Sequence, residues 1–164
     1  MKIHLACGKH ILEGWTNCDI QRHPSAPRDP DILCDVKQIP LDDQVADELM
    51  AIHIFEHFYL WEIPDLLAEW NRLLKPGGKI ILEMPDVMKA AKNLLEGQND
   101  QNAMWPLYGD HTLQDPFMCH RWGWTYATIK PVLKKAGFTN IKEFDPQWHG
   151  KRTKRDFRVE ATKC

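Results

Sequence analysis

The amino-acid sequence predicts an α/β protein with a doubly wound, mostly parallel sheet of seven strands whose last strand is antiparallel. Two observations carry this prediction. Short β-rich runs alternate with segments of helical periodicity, which is the pattern of βαβ units. The last two runs, at residues 140–144 and 156–163, are separated by only about ten residues, too few for a crossover helix, so this pair is predicted to be antiparallel.

The other elements follow from local patterns. Five further strands are predicted, at residues 2–6, 16–20, 32–35, 48–53 and 79–85. A helix is predicted over 64–74, because its apolar residues recur with the helical period and Pro64 suits a first turn. The KPGG run at 75–78 should end it.

Two more helices are predicted towards the C-terminus. The first begins at Asp86, a favourable N-cap, and ends at Gly97. Its predicted buried stripe consists of Val87, Ala91, Leu94 and Leu95. The second covers 125–136, where Pro131 should kink the helix or delay its start, and Gly137 ends it.

Composition excludes several classes of protein. The 164 residues suit a single domain over 1–164, with 43% hydrophobic and 27% charged residues, as in an ordinary soluble protein. The net charge of −2 argues against nucleic acid as a partner, and no apolar run is long enough to span a membrane. The start, MKIHLACGKH, does not resemble a secretory signal, and the five cysteines form no C-x-x-C pair. We therefore expect reduced thiols and a cytoplasmic location.

The segment 98–124 differs from the rest of the chain. It is rich in polar, aromatic and turn residues, and no period is evident in it. A loop of this length inside a compact domain is usually functional or disordered, and its tryptophans and histidines argue against disorder. We expect this segment to cover a substrate site.

Polar residues and a glycine follow three of the predicted strands. Gly8 comes after the first strand, and Asp19 and Asp35 end the second and third. Parallel α/β sheets bind ligands at the carboxyl ends of their strands. Gly8 allows a ligand to approach the backbone, Asp19 can accept hydrogen bonds from ribose hydroxyls, and Asp35 can accept one from a base amine.

Four runs occur in this order along the chain: LACGKHILEGWTNCDI, LCDVKQIPLDD, ADELMAIHIFEHF and LLKPGGKIILEMPD. Together they resemble the class I, Rossmann-like methyltransferases that use S-adenosylmethionine, and most of all the small predicted bacterial and phage members. The resemblance covers roughly residues 2–145, and the KPGG segment is its most specific part. It implies S-adenosylmethionine as cofactor and a seven-stranded sheet with an antiparallel last strand.

The resemblance also implies a set of cofactor contacts. Asp19 would hold the ribose, and Asp35 with the Val36 backbone would recognise the adenine. The remaining residues expected to border the cofactor are Ala6, Cys7, Gly8, Ile20, Ala51, Ile52 and His53.

The chain departs from the family pattern after its first strand. Only Gly8 stands directly after that strand, and Asp19 follows eleven residues later. This spacing leaves little room for the usual first helix, so that helix should be reduced. Dinucleotide-binding folds use that helix to hold a pyrophosphate, which S-adenosylmethionine lacks, so the short loop argues against NAD.

The run His53-Ile54-Phe55-Glu56-His57 has the letters of an inverted zinc-protease motif, H-x-x-E-H. Such a site needs both histidines on one helix, whereas the residues before His53 alternate as in a strand. A similar run follows the fourth strand in many methyltransferases. We therefore expect no metal site, and we expect Glu56 and His57 to be structural and to orient the start of the following helix. A zinc hydrolase using His53, Glu56 and His57 is a lesser alternative.

The acceptor of the methyl group is not identified by the sequence; a small molecule or a saccharide is expected. If the acceptor must lose a proton, His120 is the first candidate base, followed by His111 and Tyr108. Another alternative is a non-catalytic protein of the same fold that binds S-adenosylmethionine or regulates a partner. An aminopropyl transferase is disfavoured because acidic residues are sparse in 98–124.

Two further expectations concern the surface. The basic cluster at 151–155 is expected to be a solvated hairpin tip rather than a phosphate site. Because no segment precedes the first strand to cover the substrate, the cover should come from 98–124 or from a second subunit, so a homo-oligomer is left open.

Overall fold

The computed structural model describes residues 1–150 and 152–164. Its sheet has seven strands in the order β3-β2-β1-β4-β5-β7-β6. The strands are β1 (Lys2–Leu5), β2 (Thr16–Asp19), β3 (Ile32–Leu33), β4 (Ala46–Ile52), β5 (Leu74–Pro85), β6 (Phe138–Phe144) and β7 (Asp156–Lys163). Strands β1 to β5 pair in parallel, and β7 runs antiparallel to both of its neighbours. The predicted fold class is therefore confirmed.

In the part of the chain that the structure describes, four α-helices and three short 3-10 helices connect the strands. The α-helices are α1 (Ile63–Leu73), α2 (Val87–Leu95), α3 (Met104–Tyr108) and α4 (Tyr126–Lys135). The 3-10 helices are Phe55–His57, His111–Leu113 and Pro116–Met118. Among the described residues, no helix combines the length and the apolar character needed to cross a bilayer.

One face of the sheet carries the main hydrophobic core. Helix α1 buries its apolar stripe there, as its periodicity predicts, and α4 adds Ile129 and Leu133. The α1 side chains in this core are Ile63, Leu66, Leu67, Trp70 and Leu73. Helix α4 begins after a Thr125–Thr128 capping box and continues through Pro131. Pro131 therefore does not delay the start of this helix.

The opposite face of the sheet is covered by loops. Residues 6–15, between β1 and β2, contain no helix, so the first helix of the fold is replaced by a loop. A small cluster of Met50, Ile52 and Ile81 is buried here against Leu12, Trp15 and Trp148. Further along this face, Lys2 pairs with Glu48 and Lys79 with Glu160, each at 3.2 Å. Charged pairs therefore replace packing helices over part of this face.

Strand β5 is longer than predicted because the KPGG run forms its first part. Helix α1 ends at Leu73, as the glycines suggested, but the chain pairs with β4 again from Leu74. Gly78 is required in this position, because a Cβ there would lie 2.8 Å from the Lys75 carbonyl oxygen and 3.2 Å from that of Ala46.

The buried stripe predicted for α2 is only partly correct: Val87 and Ala91 are half-buried, but Leu94 and Leu95 are exposed. Asp86 is the N-cap, as predicted, and accepts hydrogen bonds from two backbone N–H groups of the first turn. However, Leu95 is 90% exposed and Leu94 48%, whereas Ala90 and Asn93 are buried. The Asn93 amide donates to two backbone carbonyls, those of residues 102 and 154. These two hydrogen bonds orient the helix, and the apolar period does not.

Candidate functional site

The carboxyl ends of β1 and β4 lie side by side where the strand order reverses. From β1 the sheet continues to β2 and β3 on one side, and from β4 to β5 on the other. In open α/β sheets this reversal creates a crevice in which ligands bind. Each predicted cofactor residue can therefore be located relative to this edge.

The turn after β1 is built around Gly8 and Asp19. Gly8 has a φ of +54°, and the preceding Ala6 has a φ of +49°. The Gly8 backbone N–H donates to a carboxylate oxygen of Asp19 at 2.7 Å, which ties the turn to the end of β2. A Cβ on Gly8 would meet no atom within 4 Å. The backbone is therefore open to a ligand on this side, and Asp19 lies next to that opening.

The residues after β2 and β3 form the next part of the edge. Ile20 is 64% exposed directly beside Asp19, so an apolar side chain faces the solvent there. Asp35 is exposed and accepts the backbone N–H of Lys37 at 2.9 Å. The Val36 carbonyl accepts the indole N–H of the buried Trp70 at 2.9 Å, which anchors this segment to α1. Strand β3 ends at Leu33, so Asp35 lies two residues beyond it.

Besides Val36, three of the predicted cofactor residues have buried side chains. Cys7, Ala51 and Ile52 are at most 8% exposed, and the last two pack in the hydrophobic clusters on opposite faces of the sheet. They can contact a ligand only through the backbone. Burial also raises the pKa of the Cys7 thiol to about 11, so it is protonated at neutral pH.

His53 follows β4 and is held between two carboxylates. Its ring nitrogens lie 3.1 Å from Glu56 Oε1 and 3.1 Å from Asp156 Oδ2. Burial alone would lower the pKa of His53, but the hydrogen bonds to Asp156 and Glu56 raise it to about 9. His53 is therefore an imidazolium that joins the ends of β4 and β7. Its φ of +51° lies in the left-handed region, which is uncommon for residues other than glycine.

The letters H-x-x-E-H do not form the zinc motif that they spell. Both ring nitrogens of His53 face carboxylates, and His57 lies in a separate 3-10 helix. Glu56 and His57 do not orient the start of a helix either. The Glu56 carbonyl accepts the N–H groups of Arg121 and Trp122, so this stretch holds the end of the segment 98–124.

Of the three candidate catalytic residues in the segment 98–124, only His120 lies close to Glu56 and His57. His120 is nearly buried, and its Nε2 lies 3.9 Å from Glu56 Oε1. Its ring meets that of His57 edge-on, with centroids 4.9 Å apart. Tyr108 is 66% exposed, and the exposed His111 ring lies 6.2 Å from that of Trp105. The structure places Tyr108 and His111 away from Glu56 and His57.

Asp156 and Arg155 were not anticipated from the sequence. Asp156 begins β7 opposite Pro85 of β5, which places its carboxylate beside His53. Arg155 is buried and donates to Asp156 and to the Gln101 carbonyl. The basic cluster is therefore not wholly a solvated tip: residues 152–154 are exposed, Arg155 is structural, and Lys151 lies outside the described residues.

Comparison with known proteins agrees with this geometry. Residues 16–82 match the family model described as "Methyltransferase domain". No curated protein sequence matches the chain.

Solved structures share the fold over nearly the whole chain. A SAM-dependent methyltransferase of Archaeoglobus fulgidus is 15% identical, with 98% of this chain and 85% of that chain covered and a TM-score of 0.65. One from Methanosarcina mazei is 14% identical, with 98% and 91% covered and a TM-score of 0.66. One from Thermotoga maritima is 16% identical, with 99% and 82% covered and a TM-score of 0.64. The chain therefore has the fold of class I, Rossmann-like methyltransferases, and the match over residues 16–82 supports a methyltransferase domain with S-adenosylmethionine as cofactor.

Proposed function

We propose that this protein transfers the methyl group of S-adenosylmethionine to a small-molecule or saccharide acceptor. The observation that carries the proposal is the turn at the reversal of strand order, where the Gly8 backbone is open and its N–H is bonded to Asp19. This arrangement places the Asp19 carboxylate, whose other oxygen accepts the Gln21 N–H at 3.3 Å, beside an open backbone, which suits a ligand that carries ribose hydroxyls.

The residues along this edge fit that cofactor. Asp19 would accept the ribose hydroxyls, and the exposed Ile20 offers an apolar contact next to them. Asp35 and the Val36 backbone would face the adenine, with Trp70 holding Val36 in place. The loop at 6–15 presents no helix N-terminus for a phosphate, and the cofactor has none to bind.

When bound, S-adenosylmethionine supplies a methyl carbon activated by its sulfonium. The chain then has to align the acceptor with that carbon and exclude water, and alignment accounts for much of the rate. The segment 98–124 is fixed to the end of β4 through its hydrogen bonds to the Glu56 carbonyl, which supports a role as cover. If the acceptor must lose a proton, His120 stays the first candidate to receive it.

An aromatic surface next to this cover supports a saccharide or another flat acceptor. The Tyr59 and Trp61 rings stack with centroids 4.3 Å apart and an interplanar angle of 7°, and Trp61 is 73% exposed. Arg121, from the cover segment, lies over the Tyr59 ring at 4.9 Å and donates to its hydroxyl. An exposed ring next to a fixed cation offers an apolar face and hydrogen-bond donors together. A small amine is the competing acceptor, since the Thermotoga maritima relative is described as a possible histamine N-methyltransferase.

The proposal is tested by calorimetry with S-adenosylmethionine and its demethylated product. The wild-type protein should bind both, and Asp19→Ala should weaken binding by about ten- to a hundredfold, because a charged hydrogen-bond acceptor is lost. Asp19→Asn keeps an acceptor for the Gly8 N–H and separates the loss of charge from the loss of the turn.

Asp42→Ala is the matched control, because Asp42 is an exposed aspartate that lies before β4, away from the carboxyl edge. Unchanged affinity in both Asp19 variants would remove Asp19 from the ribose role. A screen of sugars and amines with labelled methyl groups then follows. Cofactor binding without turnover on any acceptor would favour the non-catalytic, partner-regulating alternative.

A further inference from the structure

Three side chains near the end of β4 converge on one point. Glu56, His57 and His120 each offer one ligand atom, and these atoms all lie within 4.8 Å of one another. Glu56 and His57 belong to the 3-10 helix after β4, whereas His120 comes from the end of the segment 98–124. Backbone hydrogen bonds to the Glu56 carbonyl hold the two segments together, so the convergence is part of the fold.

The hydrogen bonds of the two histidines define which ring nitrogens are free. His120 Nδ1 lies 2.9 Å from the Pro106 carbonyl oxygen, and His57 Nδ1 lies 3.3 Å from that of Cys119. Because a carbonyl oxygen can only accept, each Nδ1 must donate, and in a neutral ring each Nε2 then carries a lone pair. Backbone carbonyls orient metal-binding histidines in this way in many proteins.

The carboxylate of Glu56 has one oxygen without a partner. Oε1 is 3.1 Å from the His53 ring, whereas Oε2 is buried and has no hydrogen-bond partner among the described residues. The whole Glu56 residue is only 2% exposed, so water does not readily solvate this oxygen. A buried anionic oxygen left unpaired costs free energy. His120 Nε2, 3.9 Å from Glu56 Oε1, is an acceptor as well, and a cation between the three groups would give each of them a partner.

We propose that Glu56, His57 and His120 bind a divalent first-row transition-metal ion such as Zn²⁺. Two imidazoles and one carboxylate are a ligand set that holds such ions and leaves coordination positions open. His53, which is itself held by Asp156, would orient the Glu56 carboxylate through its hydrogen bond to Oε1. This site replaces the expectation of no metal in the H-x-x-E-H run, and it pairs His57 with His120 rather than with His53.

The open positions would take an oxygen of the methyl acceptor. This role rests on the proposed function, whereas metal binding itself does not. The ion would lie at the junction of β4 and the cover segment, where an acceptor held by the cover has to be aligned. A hydroxyl or carboxylate group on the acceptor is the chemistry that this position selects.

The test is a zinc titration of the full-length protein after treatment with a chelator. The wild type should bind one equivalent of Zn²⁺ with a Kd below about 1 µM. Substitution with Co²⁺ should produce visible absorption typical of bound cobalt. His57→Gln and His120→Gln should each weaken Zn²⁺ binding by at least about a hundredfold. Glu56→Gln keeps the shape of the side chain and should also weaken binding, which covers the case in which a histidine variant does not fold.

His149→Gln is the matched control. The His149 ring lies 5.0 Å from that of His53 and 5.6 Å from that of His10, so it reports on a rival histidine cluster. This variant should bind Zn²⁺ as the wild type does. The proposal is overturned if the wild type binds no stoichiometric zinc, if the His57 and His120 variants both keep it, or if only His149→Gln loses it. The titration needs no S-adenosylmethionine, so failure of cofactor binding would leave its outcome interpretable.

Discussion

The burial of His4 can be tested quantitatively, because it lowers the pKa of the imidazole. His4 lies in β1 between Asn17 of β2 and Met50 of β4, and it is only 2% exposed. Its ring bonds the Asn17 side-chain oxygen at 3.3 Å and lies 5.7 Å from that of Trp148. Burial lowers the pKa of His4 to about 4, because the charged ring loses its hydration there.

This shift makes the free energy of unfolding depend on pH in a defined direction. Above about pH 6.5, His4 is neutral in both the folded and the unfolded state. As the pH falls below 6.5, His4 binds a proton in the unfolded chain but not in the folded protein, so the folded state loses stability. With a folded pKa of about 4, the loss between pH 7 and pH 5 is about 2 kcal/mol for this one group.

The substitution is His4→Leu, which replaces the imidazole with an apolar side chain and so removes the titrating group. The Asn17 oxygen keeps a partner, since it also accepts the Leu12 N–H at 2.8 Å. Urea unfolding at both pH values should show that the wild type loses about 2 kcal/mol more than the variant. His23→Gln, at an exposed loop position, should behave as the wild type does. If the wild type and His4→Leu lose the same free energy, the burial argument is refuted.

Three further predictions concern the site. Trp70→Phe removes the indole hydrogen bond to the Val36 carbonyl, so the free energy of unfolding measured in urea should fall by about 1–3 kcal/mol, and the cofactor affinity measured by calorimetry should fall as well. Cys119 is exposed whereas Cys7 is buried with a raised pKa, so mass spectrometry should show iodoacetamide labelling of Cys119 before Cys7; equal labelling of the two would contradict the burial of Cys7. When S-adenosylmethionine binds, amide hydrogen exchange should slow more in residues 98–124 than in α1. If the exchange rates in 98–124 do not change with the ligand, this segment is not the cover.

Local patterns were sufficient for most elements of the fold. Helix α1 was located by its apolar period, and Asp86 was identified as an N-cap from its type and position. The aspartate after β2 and the glycine after β1 were placed at one edge because parallel strands share their carboxyl ends. Each of these features depends on residues that are neighbours in the chain or on the rules of parallel sheets.

The orientation of α2 shows where local patterns fail. The apolar period predicted a stripe that includes Leu94 and Leu95, yet these are exposed. Asn93 is buried instead, because its amide donates to two backbone carbonyls, one 9 and the other 61 residues away along the chain. The second of these partners lies far outside any window of sequence around the helix, so the local pattern does not contain that information.

The sequence by itself predicted the α/β fold class, the resemblance to methyltransferases that use S-adenosylmethionine, and the sheet edge that carries Gly8, Asp19 and Asp35. Only the tertiary structure decided what the H-x-x-E-H run does. The partner of His53 is Asp156, 103 residues away, which reaches it because β7 runs antiparallel to β5. The partner of His57 is His120, which arrives through a segment with no periodic pattern. A side chain's chemistry depends on the charges and carbonyls that surround it, and here those groups come from distant parts of the chain.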